Sequence, residues 1–159
     1  YHNLHAFASA KQRELEQDIY STGFYRNKAK SIIGAAKALE KRFKCKLPKT
    51  IPEILTIPGV GRKTANIVLG HVHGVVEGIA VDTHVRRLAR KFGLTTESDP
   101  NKIERDLMEL FPKRQWWDMA YRLKAYGRNY SKVRSKDDDP ISIKLKKKNP
   151  ANSPEAERD

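Results

Sequence analysis

The sequence contains very little cysteine and no long apolar stretch. Among its 159 residues only Cys45 is a cysteine, so no internal disulfide can form. The same shortage excludes a four-cysteine zinc site and a cysteine-held iron–sulfur cluster. No window approaches the roughly 18 apolar residues of a membrane-spanning helix, and no charged start precedes the apolar core of a signal peptide. We therefore expect a soluble, intracellular protein.

Acidic residues are also few compared with basic ones. The chain has 32 lysines and arginines against 19 aspartates and glutamates, a net charge of +13 and an isoelectric point near 9.9. This excess predicts a polyanionic partner, most simply nucleic acid. The length suits one compact domain or slightly less than two. Because the sequence starts at Tyr1 and not at Met, we expect a fragment of a longer protein.

Apolar residues recur at helical spacing along most of the chain, and strand-like alternation is nearly absent. We therefore predict one all-α domain over residues 1–131, with helices that end at glycines or prolines. The predicted helices are 9–22, 27–46, 52–57, 62–73, 83–92, 98–111 and 115–126. An acidic run at 137–139 and a basic run at 144–148 predict a charged, disordered tail over 132–159.

The segment Leu-Thr-Ile-Pro-Gly-Val-Gly-Arg-Lys-Thr-Ala at residues 55–65 joins two predicted helices. Its glycines permit a tight turn, and the N–H groups at the start of the next helix suit a phosphate oxygen. We predict a helix-hairpin-helix at 52–73 that grips the DNA backbone without reading sequence. A plain helix-turn-helix corner is the alternative. The predicted contacts come from Gly59, Val60, Gly61, Arg62 and Thr64.

Lys63 follows the hairpin directly and has two interpretations. It is either a further phosphate contact or an amine nucleophile, because the positive end of a helix dipole favours a neutral amine. A neutral amine can attack a sugar carbon and form a Schiff base.

Asp82, in the run Val-Asp-Thr-His, also has two compatible interpretations. An aspartate before a helix is typically its N-cap, and a rigidly held carboxylate can also stabilise positive charge on a sugar. His84 and Arg86 follow on the same predicted helix and are expected to contact DNA, with a capping role as the alternative for His84.

These motifs resemble the helix-hairpin-helix DNA glycosylases of the endonuclease III type, most closely at 57–70 and 79–87 and more loosely from about residue 19 to 131. The resemblance implies an all-α glycosylase fold with DNA between two helical lobes. It also implies excision of oxidised pyrimidines from duplex DNA and strand cleavage by β-elimination. By position, Lys63 matches the Schiff-base lysine and Asp82 the catalytic aspartate. The related adenine-removing branch has no lysine at this position.

The resemblance further implies a monovalent cation, held by main-chain carbonyls of Leu55, Ile57 and Val60. Such enzymes flip the target base out of the stack and fill the gap. The run at 22–29 resembles the family's wedge loop, with Phe24 as the wedge; a hydrophobic staple for the next helix is the alternative. Asn27 and Lys28 are expected to contact phosphate, although a solvated surface lysine is an alternative for Lys28.

Two departures from the family pattern stand out. The family begins an iron–sulfur cluster just after a Gly-Arg pair, but after Gly127 and Arg128 the first cysteine is replaced by Ser131, and no cysteine follows. We therefore expect no cluster and no cofactor beyond the cation, with the basic tail taking over some DNA binding. The chain also begins where the family already has several helices. These lie outside the fragment or come from a partner chain, and the fragment alone is expected to be inactive if they are needed.

The leading hypothesis is thus a bifunctional DNA glycosylase with AP-lyase activity. It acts as a monomer on duplex DNA with a damaged base or abasic site, in a prokaryotic cytoplasm or nucleoid, or in a eukaryotic nucleus. The alternatives are a non-catalytic DNA-binding module and a monofunctional glycosylase in which Lys63 only contacts phosphate.

Overall fold

The computed structural model describes residues 1–132 and 139–148, and these residues are helical without any strand, which confirms the all-α prediction. The chain divides into two compact units, Tyr1–Glu77 and Gly78–Asp159, where we expected one domain. None of the described helices is long and apolar enough to cross a membrane. The helices are α1 (Leu4–Ala8), α2 (Gln12–Asp18), α3 (Tyr25–Phe43), α4 (Ile51–Ile54), α5 (Arg62–His73), α6 (Thr83–Lys91), α7 (Pro100–Leu110), α8 (Trp116–Asn129) and α9 (Pro140–Lys148).

The predicted helix boundaries agree best where a glycine or a capping side chain defines the end. Helix α5 has the predicted bounds, with Gly61 before it and Gly74 after it. The single helix predicted over 9–22 is wrong, because this region holds α2 and a separate 3-10 turn at Tyr20–Thr22. Helix α1 was not predicted. It is five residues long, too short for a periodic pattern, and it is stabilised by its Asn3 cap.

The first unit is organised around α3. Helices α1 and α2 pack on α3 over a cluster centred on Leu15, Ala29 and Ile33. A second cluster joins α4, α5 and the turn between them, and α3 residues pack against it. The hairpin is therefore attached to the longest helix of the unit. The buried residues of the second cluster are Ile51, Ile54, Ile57, Ala65 and Leu69.

The second unit has one core, shared by α6, α7 and α8, with Leu88, Ile103 and Leu107 fully buried in it. Gly127 in α8 allows a close approach to α6. A Cβ at Gly127 would lie 3.0 Å from His84 Nδ1 and 3.1 Å from a methyl carbon of Leu88. The glycine of the Gly-Arg pair thus has a packing role.

The prediction of a disordered tail is wrong for residues 139–148. Asp139 is buried and precedes α9, where its carboxylate accepts a hydrogen bond from the Ser142 N–H at 3.1 Å. Its other oxygen pairs with the ammonium group of Lys91, at 2.6 Å. Composition alone misses such a helix, because its anchor is a charge whose partner is distant in sequence. The other tail residues, 133–138 and 149–159, lie outside the described residues.

The buried carboxylate predicts a pH-dependent stability. Burial by itself would raise the pKa of Asp139, but hydrogen bonds from Lys91, Tyr126 and Ser142 outweigh it and hold this pKa well below its ordinary value. Because the folded-state pKa is the lower one, the stabilisation is complete at neutral pH. It is lost as the pH falls below about 4 and through the folded-state pKa. Thermal unfolding of the unaltered chain and of Asp139→Asn between pH 7 and 2 measures the effect. The unaltered chain should be the more stable by a constant amount above about pH 5, and this difference in stability should shrink below about pH 4. Parallel curves over the whole range would contradict this.

Candidate active site

The first half of the hairpin is fixed by local caps and by α3. Thr50 caps α4 and donates a hydrogen bond from its hydroxyl to the Glu53 carboxylate at 2.7 Å. Arg42 of α3 donates to the Thr56 carbonyl at 3.2 Å and to its hydroxyl at 2.6 Å. The Val60 N–H donates to the Ile57 carbonyl at 3.1 Å and closes the turn. The start of α5 is therefore held in one orientation within its unit.

The two glycines of the hairpin serve different purposes. Gly59 has φ +77°, in the left-handed region, and a Cβ there would lie 2.4 Å from Ser31 Cβ. Gly34 of α3 leaves room for the same turn, because a Cβ at this position would lie 3.0 Å from Pro58 Cβ. Gly61 has an ordinary extended backbone, and a Cβ there would meet open space. Folding requires Gly59, whereas the missing side chain at Gly61 leaves room beside the α5 terminus.

Helix α5 begins without a side-chain cap, because Gly61 occupies its N-cap. By contrast, aspartate side chains cap α6 and α7. No side chain caps this terminus, so the N–H groups of Lys63 and Thr64 can bind a ligand at the positive end of the helix dipole. Lys63 and Thr64 are exposed here, and Arg62 is half-buried. This arrangement is suited to an anion such as a phosphate.

Alanine at each hairpin glycine should separate folding from binding. Gly59→Ala should destabilise the first unit by about 2 kcal/mol or more, through backbone strain and the clash with Ser31. Gly61→Ala should change the unfolding free energy by less than about 1 kcal/mol. It should nevertheless weaken binding of duplex DNA about tenfold, because the methyl group hinders one hydrogen bond to a charged group. Denaturant unfolding and DNA titration measure the two effects. Full DNA affinity in Gly61→Ala would contradict the phosphate interpretation.

Asp82 is the N-cap of α6, as predicted. Its Oδ1 accepts hydrogen bonds from the N–H groups of His84 and Val85, both at 2.9 Å. The carboxylate is half-buried and rigidly held, and Oδ1 makes both capping bonds. Oδ2 is therefore the oxygen that can act on a substrate.

A basic surface follows Asp82 on α6. A cavity of about 430 Å³ is lined there by Thr83, His84, Arg86, Arg87 and Arg90. Arg86 and Arg90 are exposed, while His84 is half-buried against α8. The cavity places the predicted DNA contact Arg86 in a concentrated positive field, which suits a phosphate backbone.

The loop before α3 presents Phe24 to solvent. This residue has φ 50°, in the left-handed region, and 87% of its side chain is exposed. The hydrophobic-staple alternative is wrong, because a staple must pack against its helix. A strained backbone that holds an apolar ring in water costs free energy, and such outliers cluster at functional sites. The wedge remains the interpretation that accounts for both features.

Lys28 has a role that the sequence did not reveal. Its ammonium group donates to the Thr22 carbonyl at 2.6 Å, across the loop that carries Phe24. The predicted phosphate contact of Lys28 remains a prediction. Asn27 is exposed, and a cavity of about 330 Å³ is lined by residues 24–27.

The predicted site residues are distributed over both units. The hairpin, Lys63, Phe24, Asn27 and Lys28 belong to the first unit, whereas Asp82, His84 and Arg86 belong to the second. The sequence analysis missed the support that Ser31, Gly34 and Arg42 of α3 give to the hairpin. Small residues three apart on a helix that faces a Pro-Gly turn are the signal that would have indicated it.

A helical fold with two helices joined by the Pro-Gly-Val-Gly hairpin and a lysine directly after it defines the class, a helix-hairpin-helix protein of the DNA glycosylase fold. Residues 1–113 match the model of the HhH-GPD superfamily base excision DNA repair proteins. The chain belongs to this superfamily.

Curated relatives agree with the family. An endonuclease III of Synechocystis sp. is 46% identical over 128 residues, which are 80% of this chain and 58% of that protein. An endonuclease III of Bacillus subtilis is 42% identical over 123 residues, 77% of this chain and 56% of that protein. The chain therefore spans little more than half the length of these relatives.

A solved structure gives the same result at the level of the fold. The trapped covalent intermediate of an endonuclease III with DNA matches this chain with a TM-score of 0.83 and 36% sequence identity. The match covers 89% of this chain and 67% of that chain.

Proposed function

We propose that this chain is the catalytic part of a bifunctional DNA glycosylase and AP lyase that acts on damaged bases in duplex DNA. The observation that carries the proposal is the start of α5. There, an uncapped helix terminus beside the bare Gly61 is followed at once by the exposed Lys63. The terminus suits a phosphate of the backbone, and the amine suits attack on a sugar of that backbone.

Lys63 supplies the nucleophile. Its neutral amine attacks C1′ of the damaged nucleotide, and the base leaves with the electron pair of the glycosidic bond. The nitrogen loses a proton and the sugar ring opens, which gives a Schiff base between Lys63 and C1′. Removal of a C2′ proton then expels the 3′ phosphate by β-elimination, and water releases the lysine.

Asp82 stabilises the positive charge that develops on the sugar. Its capping bonds fix Oδ1, so that the carboxylate is held in place before the reaction starts. A preorganised charge of this kind lowers the barrier because no reorganisation is needed at the transition state.

Phe24 fills the gap left by the flipped base. Phe24→Ala should leave thermal stability nearly unchanged, because the ring is exposed. It should slow base excision from duplex DNA about 10- to 100-fold, the value of one aromatic stacking contact. A single-turnover assay on duplex and single-stranded substrates measures this. Equal slowing on single strands, where no stacked partner must be replaced, would contradict the wedge role.

The main-chain carbonyls of Leu55, Ile57 and Val60 would hold a monovalent cation. Carbonyl oxygens are suitable ligands for such hard ions, and the Ile57 carbonyl keeps a second lone pair beside its bond from Val60. A bound cation would add positive charge beside the phosphate that the hairpin grips.

The proposed substrate is duplex DNA that carries an oxidised pyrimidine or an abasic site, bound by one copy of the chain. The proposed location is wherever genomic DNA lies, the prokaryotic nucleoid or the eukaryotic nucleus. The names of the relatives and the covalent DNA intermediate of an endonuclease III support this proposal.

Borohydride trapping on a duplex with one abasic site tests the activity, and a panel of damaged bases tests the substrate. The expected result is a covalent adduct and strand cleavage on the 3′ side of the abasic site. DNA binding without an adduct would favour the non-catalytic module. Base release without strand cleavage would favour the monofunctional glycosylase.

A further inference from the structure

Polar contacts hold the chain after α8 at Ser131, the position where the family pattern has the first cysteine of its iron–sulfur cluster. Ser131 is fully buried. Its hydroxyl accepts hydrogen bonds from Arg87 at 3.3 Å and from Lys91 at 3.1 Å, both from α6. Arg87 also donates to the Ser131 carbonyl. One residue thus ties the end of α8 to α6.

Asp139 ties the next segment to the same place. Its side chain is fully buried and pairs with Lys91 at 2.6 Å, and it accepts a 2.6 Å hydrogen bond from the Tyr126 hydroxyl. That hydroxyl in turn accepts the Ile141 N–H at 2.9 Å, and Ser142 donates to Asp139 from its own hydroxyl at 2.8 Å. The start of α9 is therefore bonded to α6 through Lys91 and to α8 through Tyr126.

The residues at this position do not fit a cysteine-held cluster. Ser131 offers a hydroxyl that is engaged by two cations, where a cluster needs a thiolate. Cys45, the single cysteine in the 159 residues, is exposed and belongs to the first unit. The network instead pairs one buried negative charge with one ammonium group and gives each carboxylate oxygen two donors. A buried carboxylate satisfied in this way holds the segments that it bonds rigidly.

We propose that the network of Arg87, Lys91, Tyr126, Ser131 and Asp139 is a metal-free clamp in place of the iron–sulfur cluster, and that it docks α9 as a second surface for the DNA backbone. The DNA contact rests on the proposed function. Helix α9 has the sequence Pro-Ile-Ser-Ile-Lys-Leu-Lys-Lys-Lys, with four lysines and no acidic residue, and Lys144 is exposed. This concentration of positive charge complements a phosphate backbone.

Asp139→Asn in the full chain tests the clamp without DNA. The thermal midpoint should fall by roughly 10 °C or more, because a buried ion pair loses one partner. Amide hydrogen exchange should speed up throughout α9. Asp99→Asn is the control, since Asp99 caps α7 at the surface by accepting the N–H groups of Asn101 and Lys102, and asparagine caps equally well. An Asp139→Asn chain that behaves like this control would overturn the clamp.

Two further variants keep the test informative if Asp139→Asn fails to fold. Tyr126→Phe keeps the ring against Phe92 and removes only the hydroxyl, so it should lower the midpoint by a few degrees and loosen α9 selectively. Lys91→Met combined with Asp139→Asn removes both charges of the buried pair and should be more stable than Asp139→Asn alone. If the losses of stability in Lys91→Met and Asp139→Asn simply add in the double variant, the two charges are not paired. Stoichiometric iron and sulfide in protein expressed with excess iron would overturn the metal-free assignment.

Removal of the α9 charge tests the DNA contact. Glutamine at Lys144, Lys146, Lys147 and Lys148 should leave the thermal midpoint unchanged and weaken binding to an undamaged duplex. The log–log slope of affinity against salt should become shallower by about 0.9 for each lost phosphate contact. Asp139→Asn should reproduce this change, because α9 is then no longer held against α6 and α8.

The failures are distinguishable. An unchanged salt slope in the glutamine variant overturns the α9 contact, even if Lys63 still forms an adduct with abasic DNA. Absence of that adduct in the unaltered chain instead overturns the proposed activity, while the exchange and metal measurements still decide the clamp.

Discussion

Replacement of Lys63 by alanine is expected to abolish borohydride trapping on abasic DNA and to slow strand cleavage at least a thousandfold, about 4 kcal/mol of barrier. In the proposed mechanism β-elimination proceeds through a covalent bond to this amine, so no other group should take over. The side chain is exposed, so thermal stability should change by less than about 0.5 kcal/mol. Trapping, single-turnover cleavage and thermal unfolding are the three measurements.

Lys63→Arg separates the nucleophile from a phosphate contact. Arginine keeps the positive charge and can hold a phosphate, but its guanidinium stays protonated and forms no Schiff base. DNA affinity should therefore stay within about threefold of the unaltered chain, the size of one weak surface charge interaction, while trapping is lost. An adduct that persists in both variants would assign the covalent bond to a different amine.

Asp82→Asn is expected to give the second-largest effect, a 100- to 1000-fold slower reaction at roughly unchanged stability, the size typical of a lost charge-stabilising group. Asparagine caps a helix about as well as aspartate, so the bonds to His84 and Val85 should survive. The substitution removes the negative charge that is proposed to stabilise the sugar cation. Single-turnover rates on damaged and abasic duplexes show whether base release and strand cleavage are both slowed.

Asp82→Ala provides the comparison that isolates the cap. It removes the charge and the capping bonds together, so it should lose about 1 kcal/mol of stability beyond the kinetic defect. The capping residue of α7 offers a second reference, because Asp99→Asn should change neither rate nor stability. A full rate in Asp82→Asn would reduce Asp82 to a structural cap.

Local features of the site were predictable because short-range interactions determine them. Asp82 bonds to the N–H groups two and three residues ahead, which its position before an apolar periodic run already indicates. The bounds of α5 follow from flanking glycines, and the uncapped terminus follows from glycine at the N-cap. For this reason the hairpin and both proposed catalytic residues were identified from the sequence.

Features that depend on distant partners were not predictable. The sequence left Phe24 undecided between a staple and a wedge, and only its exposure excluded the staple. Gly59 and Gly61 looked equivalent in the sequence. In the structure Ser31 lies against Gly59, so only this glycine is required for folding. The charge run at 137–139 indicated disorder, yet Asp139 is buried and forms an ion pair with Lys91.

The sequence by itself determined the helical class, the hairpin and the position of Lys63 beside it, because these depend on residue order over a few turns. It also determined the shortage of cysteine. The tertiary structure decided how the segment after α8 is held, because the ion pair between Lys91 and Asp139 joins residues that are far apart along the chain. This pair becomes strong only when burial removes water from it.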